Sequence, residues 1–197
     1  MTRQEYEKIY SRMTKRSIDS FTRDDSTILS DESDIFDEGY TAEYTGDMLE
    51  HFKSVNLHMY WFWKYPDLFD RDDLWSGCAV QRAVGNHFGE WLGSIILNHH
   101  FGYDSLVEKY DCPNEHKKKA RTLKRLVGAE LFEQMTKGFY QGPDLLLHKE
   151  ADYFFCEVKR RNTKKVEKLT ERQPDYFKSI KARTGKKIIL LSLIEVV

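Results

Sequence analysis

Residues 141–159 read Gln141-Gly142-Pro143-Asp144-Leu145-Leu146-Leu147-His148-Lys149-Glu150-Ala151-Asp152-Tyr153-Phe154-Phe155-Cys156-Glu157-Val158-Lys159. A Gly-Pro-Asp turn opens into a short apolar strand, the polar stretch 148–152 suits a hairpin connection, and 153–159 is a second strand, apolar on both faces up to Glu157. Period-two alternation puts Tyr153, Phe155, Glu157 and Lys159 on one face and Phe154, Cys156 and Val158 on the other. A carboxylate and an ammonium therefore project side by side from the end of a buried strand. Burying charge there is costly unless it is paired or bound to a metal.

Downstream, 170–183 reads as a helix. Thr170 and Gln173 fit a capping box, Pro174 is tolerated in the first turn, and Gly185 stands where a C-cap is expected. Gln173 shares a face with Phe177 and Ile180, so an amide sits on the inward stripe. Residues 187–196 form a third strand. Asp144 and Glu157, on neighbouring strands, offer hard oxygen ligands suited to Mg²⁺, with the Val158 backbone carbonyl as a third. Lys159 is placed to orient a water or to offset charge on a phosphorane. This is the equipment of phosphodiester hydrolysis. Each residue also has a plainer reading: Asp144 as a turn residue, Glu157 and Lys159 as a same-face ion pair, Gln173 as a capping side chain.

Pro143-Asp144, a gap of 12 residues, then Glu157-Val158-Lys159 resembles the signature of the PD-(D/E)xK nuclease superfamily. GPDLLL, FFCEVK and Gln173 opening a helix are similar to its VRR-Nuc (virus-type replication–repair nuclease) branch and, more loosely, to archaeal Holliday-junction resolvases. The resemblance covers residues 79–197. It implies an α/β, restriction-endonuclease-like core with a central mixed β-sheet flanked by helices, and cleavage of DNA dependent on Mg²⁺, with Mn²⁺ as substitute. It also implies that Asp144 and Glu157 are metal ligands, Lys159 the catalytic lysine and Gln173 the helix glutamine of the site. Glu90, in HFGEWLGSIIL, is the match for an acidic residue that the family often carries on the helix before the sheet.

Residues 79–100 read as one helix, with a stripe Val80, Val84, Phe88, Trp91, Ile95 and His99. Gly85, Gly89 and Gly93 recur every fourth residue, which predicts the close passage of another backbone. Residues 115–137 read as a further helix, basic early and acidic later, and a candidate substrate-reading insertion. The first 78 residues read as a helical and irregular N-terminal extension. It holds a helix up to Met13 with Thr2 and Glu5 as a capping box, an acidic irregular stretch 17–46, and a run of aromatics from Met59 to Trp75. That run reads either as a packed helix or as a stacking platform for bases.

Residues 1–50 hold 6 Lys/Arg against 13 Asp/Glu, a net of −7, and residues 151–197 hold 12 against 6, a net of +6, within a chain of net charge −1. Arg160, Arg161, Lys164, Lys165 and Lys168 follow the second strand and are candidate DNA-backbone contacts. The acidic segment is a candidate internal DNA mimic lying across that basic region. Cys78, Cys112 and Cys156 are too few and too scattered for a disulfide framework, which suits a cytoplasmic or nucleoid-associated protein. Residues 1–16 have no apolar signal-peptide region, and no apolar run approaches the ~20 residues of a membrane span. Cys112 and His116 lack the second half of a zinc site, and no P-loop is present.

A metal-dependent DNA nuclease acting on duplex, flap or branched DNA, in repair or recombination, is thus expected. The alternative is a catalytically silent nuclease-fold subunit that binds DNA or assembles a complex. The Gly85/Gly89/Gly93 line and the 57–69 aromatics are candidate surfaces for a homodimer.

Overall fold

The computed structural model describes residues 3–54, 56–69, 71–74, 76–107, 110, 117–136, 142–162 and 167–197. Thr2, Trp75, Cys112, His116, Lys164 and Lys165 lie outside the described residues. At the centre is a six-stranded mixed open sheet in the order β1-β2-β6-β5-β4-β3. Its strands are β1 (Thr22–Arg23), β2 (Glu38–Thr45), β3 (Asp104–Leu106), β4 (Leu145–Lys149), β5 (Asp152–Arg161) and β6 (Ile188–Val196). The hairpin expected at 148–152 joins β4 to β5 in antiparallel register, with Lys149 opposite Asp152. β5 then passes through a helix into parallel β6.

Among the described residues, eight helices flank the sheet: α1 (Arg3–Asp19), α2 (Gly46–Lys53), α3 (Asn56–Lys64), α4 (Ser76–Ala83), α5 (Phe88–Phe101), α6 (Lys117–Val127), α7 (Ala129–Thr136) and α8 (Gln173–Thr184). The alternation along β5 divides the core in two. Phe154, Cys156 and Val158 pack with Phe52, Trp61, Trp91 and Ile95, under α1, α2, α3 and α5. Tyr153 and Phe155 pack with Leu123, Met135, Phe177 and Ile180, under α6, α7 and α8. A strand covered on both faces must be apolar on both, and β5 is so until Glu157.

Several expectations are corrected. The stretch 17–46 is not irregular throughout. Glu38–Thr45 is a strand paired in parallel with β6 along its whole length, and Tyr40, Ala42 and Tyr44 alternate into the core. The core therefore runs across residue 78, since Phe52 and Trp61 pack with Phe88 and Trp91. Trp61 is fully buried and Phe69 stacks on Trp91 at 4.0 Å, so much of the aromatic run is interior, although Trp63 is 71% exposed. The helix expected over 79–100 breaks between α4 and α5, where Gly85 (φ 87°) and His87 (φ 66°) are left-handed. Val80 and Val84 are consequently 68% and 66% exposed. The helix expected over 115–137 is divided at Gly128 (φ 84°).

The acidic segment binds beside α8. Lys178 meets Asp34 at 2.7 Å, Lys181 meets Asp37 at 2.9 Å, and Ile35 and Phe36 enter the second core. No helix among the described residues is long and apolar enough to cross a membrane.

The glycine line has a different cause from the one expected. A Cβ on Gly89 would stand 3.1 Å from Val158 Cγ1, and one on Gly93 would stand 3.2 Å from Leu191 Cδ2 and 3.3 Å from Val158 Cγ2. These glycines press α5 onto its own sheet and are not a dimer surface. Gly93→Leu should lower stability by about 1–3 kcal/mol through overpacking, read as a reduced urea midpoint. An unchanged midpoint would mean that α5 does not approach β5 and β6 so closely.

Candidate active site

β4 begins at Leu145, opposite Cys156, while β5 continues to Arg161 paired on that stretch with β6 alone. One edge of residues 157–161 is thus left without a strand partner, open at Val158 and covered at Arg160 by Glu167, which takes the Arg160 N–H at 3.0 Å and donates its own N–H to the Arg160 carbonyl at 3.2 Å. Phe155 N–H donates to the Lys187 carbonyl of the β6 side, so the odd residues of β5 direct their backbone groups to β6 and the even ones direct theirs to the open edge. Val158 N–H accordingly donates to Asp144 Oδ2 at 2.8 Å, and the Val158 carbonyl faces the same edge. Asp144 N–H in turn donates to Glu157 Oε2 at 3.2 Å.

Glu157 is 0% exposed. Its Oε1 lies 2.5 Å from Lys159 Nζ and accepts from Gln173 Nε2 at 3.0 Å. The other end of the glutamine, Oε1, accepts from Thr170 N–H at 2.8 Å. One side chain therefore both closes the turn before α8 and fixes Glu157; α8 begins only at Gln173, its N-cap Arg172 has no side-chain cap, and Thr170 stands outside the helix instead of capping it. Glu90, in the first turn of α5, lies 2.7 Å from His87 Nδ1 and reaches the same place from the other face of the sheet. Glu90, Asp144, Glu157, Val158, Lys159 and Gln173 all line one cleft of about 460 Å³.

Burial pushes the Asp144 carboxyl well above its ordinary range, and the charges of Glu157 and Glu90 push in the same direction. Burial also raises Glu157, against the pull of Lys159 and of the hydrogen bonds from Asp144 and Gln173. For Lys159 burial works the other way, but the carboxylates of Glu157 and Asp144 outweigh it and hold the ammonium above its usual value. Lys159 is thus a cation at neutral pH. The Cys156 thiol is driven up by burial and by the same carboxylates, which leaves it inert as a nucleophile.

The candidate phosphate contacts separate. Arg160 lines the cleft, with its guanidinium on Glu167 Oε1 at 3.0 Å and on the Gly85 carbonyl at 3.2 Å. Arg161 turns away and donates to the Thr27 carbonyl at 2.6 Å. Lys168 is exposed. Among the described residues, none from 17–50 lines the cleft; the acidic segment comes up beside it, where Thr27 takes Arg161 and Glu32 feels the charges of Lys159 and Arg161. His87 and Glu167 line the cleft and were not expected there. A glycine or asparagine would have signalled the left-handed turn, and His87 gives no such sign.

Among the described residues, no three His, Cys, Asp or Glu side chains form a ready metal cage. The donor set that does converge is oxygen only: two carboxylates and the Val158 carbonyl. It fits Mg²⁺, which keeps several waters and takes one or two carboxylates. Two buried carboxyls driven upward together are also a pair that a divalent cation would relieve. In comparisons with known proteins, no family model, no curated protein and no solved structure matches this chain.

The carboxyl shifts carry a sign. A carboxyl raised on folding favours the native state at low pH, and that contribution is lost as pH rises through the raised value. Asp144→Asn should therefore melt higher than the wild type in EDTA at about pH 7.5, and the advantage should vanish below about pH 4, where ordinary carboxyls protonate. Thermal melts across that range check it, and a variant melting lower at every pH would contradict it.

Proposed function

We propose that this chain is a divalent-metal-dependent deoxyribonuclease with a restriction-endonuclease-like core of the PD-(D/E)xK type, similar in motif pattern to VRR-Nuc. The observation that carries the reading is the convergence of Asp144, Glu157, Lys159 and Gln173, from β4, β5 and α8, around the open edge of β5 at Val158. Two features support it beyond the motif. The carboxylates are desolvated, which strengthens any cation they hold, and the lysine is kept charged by them.

Asp144, Glu157 and the Val158 carbonyl would hold Mg²⁺, or Mn²⁺ in its place. When bound, the ion polarises a phosphoryl oxygen and makes water more acidic. Gln173 holds Glu157 at one oxygen, and Asp144 N–H holds it at the other, so the carboxylate is oriented before substrate arrives. Lys159 Nζ, anchored on Glu157, presents a fixed positive charge where negative charge gathers on the scissile phosphate. Arg160 and the exposed Lys168 offer phosphate contacts flanking the scissile bond, and Glu90 a further carboxylate on the far wall.

The test is cleavage of labelled linear, flap, four-way and single-stranded DNA with Mg²⁺, Mn²⁺ or EDTA. The wild type should cut only with metal. Asp144→Ala should abolish cutting, and Lys159→Ala should slow it by roughly 10²–10³-fold. Wild-type protein that binds these DNAs and cuts none would replace the nuclease with a silent DNA-binding subunit.

A further inference from the structure

Several surface cations of this protein are matched to carboxylates: Lys15 to Asp19, Lys53 to Glu50, Lys178 to Asp34, Lys181 to Asp37, Lys186 to Asp152 and Lys187 to Glu38. Such pairs cancel each other's field beyond a short distance. Helix α6, KKKARTLKRLV, is built differently, with six Lys/Arg and no acid. Lys119 alone is turned inward, buried against Asp73 and the Val107 carbonyl. Lys117, Arg121, Lys124 and Arg125 stand at i, i+4, i+7 and i+8, all exposed and on one face. Among the described residues none of these four forms an ion pair with a carboxylate; Lys124 rests 5.7 Å above the Phe132 ring. The opposite face of α6 is committed to the core through Ala120 and Leu123.

The stripe has a direction. Lys119 bonds at Val107, just past β3, and Leu106 lies opposite Leu146. That is the end of the sheet where Asp144 stands. Tyr110 donates to the Pro143 carbonyl at 2.7 Å, tying the same region to the Asp144 turn. At the far end the charge of Arg125 acts on His148, opposite Asp104 near the β4–β5 hairpin. At 1.5 Å per residue the four cations extend about 12 Å. One DNA strand presents a phosphate every ~3.4 Å of axis, so the stripe spans three to four phosphates.

We infer that the exposed face of α6 is a docking surface for the phosphate backbone of double-stranded DNA, separate from the cleft and leading to it. The inference rests on the proposed nuclease reading for the identity of the polyanion. An anionic membrane shares the charge but would need an apolar face to insert, and that of α6 is already buried. The contacts carry no sequence information; they raise affinity and set the duplex in line with the cleft.

The experiment is binding of a fluorescein-labelled 20-bp duplex by anisotropy, in EDTA, from 50 to 300 mM salt. The stripe variant carries Lys117→Gln, Arg121→Gln, Lys124→Gln and Arg125→Gln. A control of equal charge change carries Lys15→Gln, Lys53→Gln, Lys186→Gln and Lys187→Gln. Helical signal and melting temperature of both are compared with the wild type, since glutamine keeps helix propensity. The stripe variant should lose on the order of 100-fold in affinity at 50 mM salt, with the slope of log K against log salt reduced by about 3 to 4. The control should change affinity only a few-fold. Equal losses in both variants, wild-type binding by the stripe variant, or wild-type protein that binds phosphatidylserine vesicles and not the duplex would each overturn the inference.

Because the assay needs no turnover, the two readings separate. Stripe-dependent binding without any cleavage removes the nuclease and leaves the docking surface. Metal-dependent cleavage with unchanged binding by the stripe variant does the reverse.

Discussion

A carboxylate at a fully buried strand position is the demand around which this molecule is arranged. Glu157 cannot be left to solvent, so each of its oxygens must find a donor from somewhere else in the chain. Lys159 comes from the same strand, Gln173 from the helix that follows it, and the Asp144 amide from the turn before β4. Asp144 then needs its own donor and takes the Val158 amide, which is available because β4 does not extend past Leu145. Shortening one strand by a few residues thus creates the open edge, the backbone donor and the room for a cleft together. None of these four contacts survives alone, since each leaves another buried polar group without a partner.

The helix on the opposite face answers to the same geometry. α5 comes close enough to bring Glu90 to the cleft because Gly89 and Gly93 place no side chain between it and Val158. Its start is set by the left-handed residues Gly85 and His87, which end α4 and turn the chain so that the first turn of α5 faces the sheet end. A glycine row in a helix interior costs stability. Here it keeps the helix axis near the strand whose carbonyl and carboxylate do the chemistry on the proposed reading.

How much of this could be read beforehand follows from how local each signal is. The β4–β5 hairpin, the two faces of β5 and the Thr170–Gln173 bond depend on residues near one another in the chain, and the sequence pattern exposes them; the bond of Gln173 to Glu157 spans 16 positions and was suggested by the family resemblance alone. β2 carries the same period-two pattern, Tyr40, Ala42 and Tyr44 against Thr41, Glu43 and Thr45. It was obscured by the Asp- and Ser-rich residues around it, which dominate any window wide enough to average. The break between α4 and α5 gave no warning because the apolar stripe continues through it and a histidine holds the left-handed position. Gly128, by contrast, is an ordinary helix-ending signal that the smooth change from basic to acidic character masked. The loss of Arg161 from the cleft was beyond local reading, since its acceptor, Thr27, lies over a hundred positions away.

The parallel pairing of β2 with β6 has a consequence for how the protein is made. Residues 38–45 leave the ribosome long before residues 188–196, and at ~5–20 residues per second the wait is on the order of ten seconds. During that time Tyr40 and Tyr44 have no strand to lie against on that edge, and the aromatic helices that follow must be kept from associating elsewhere. Asp34, Asp37 and Glu38 wait through the same interval, and meet Lys178, Lys181 and Lys187 only once the last part of the chain has been made.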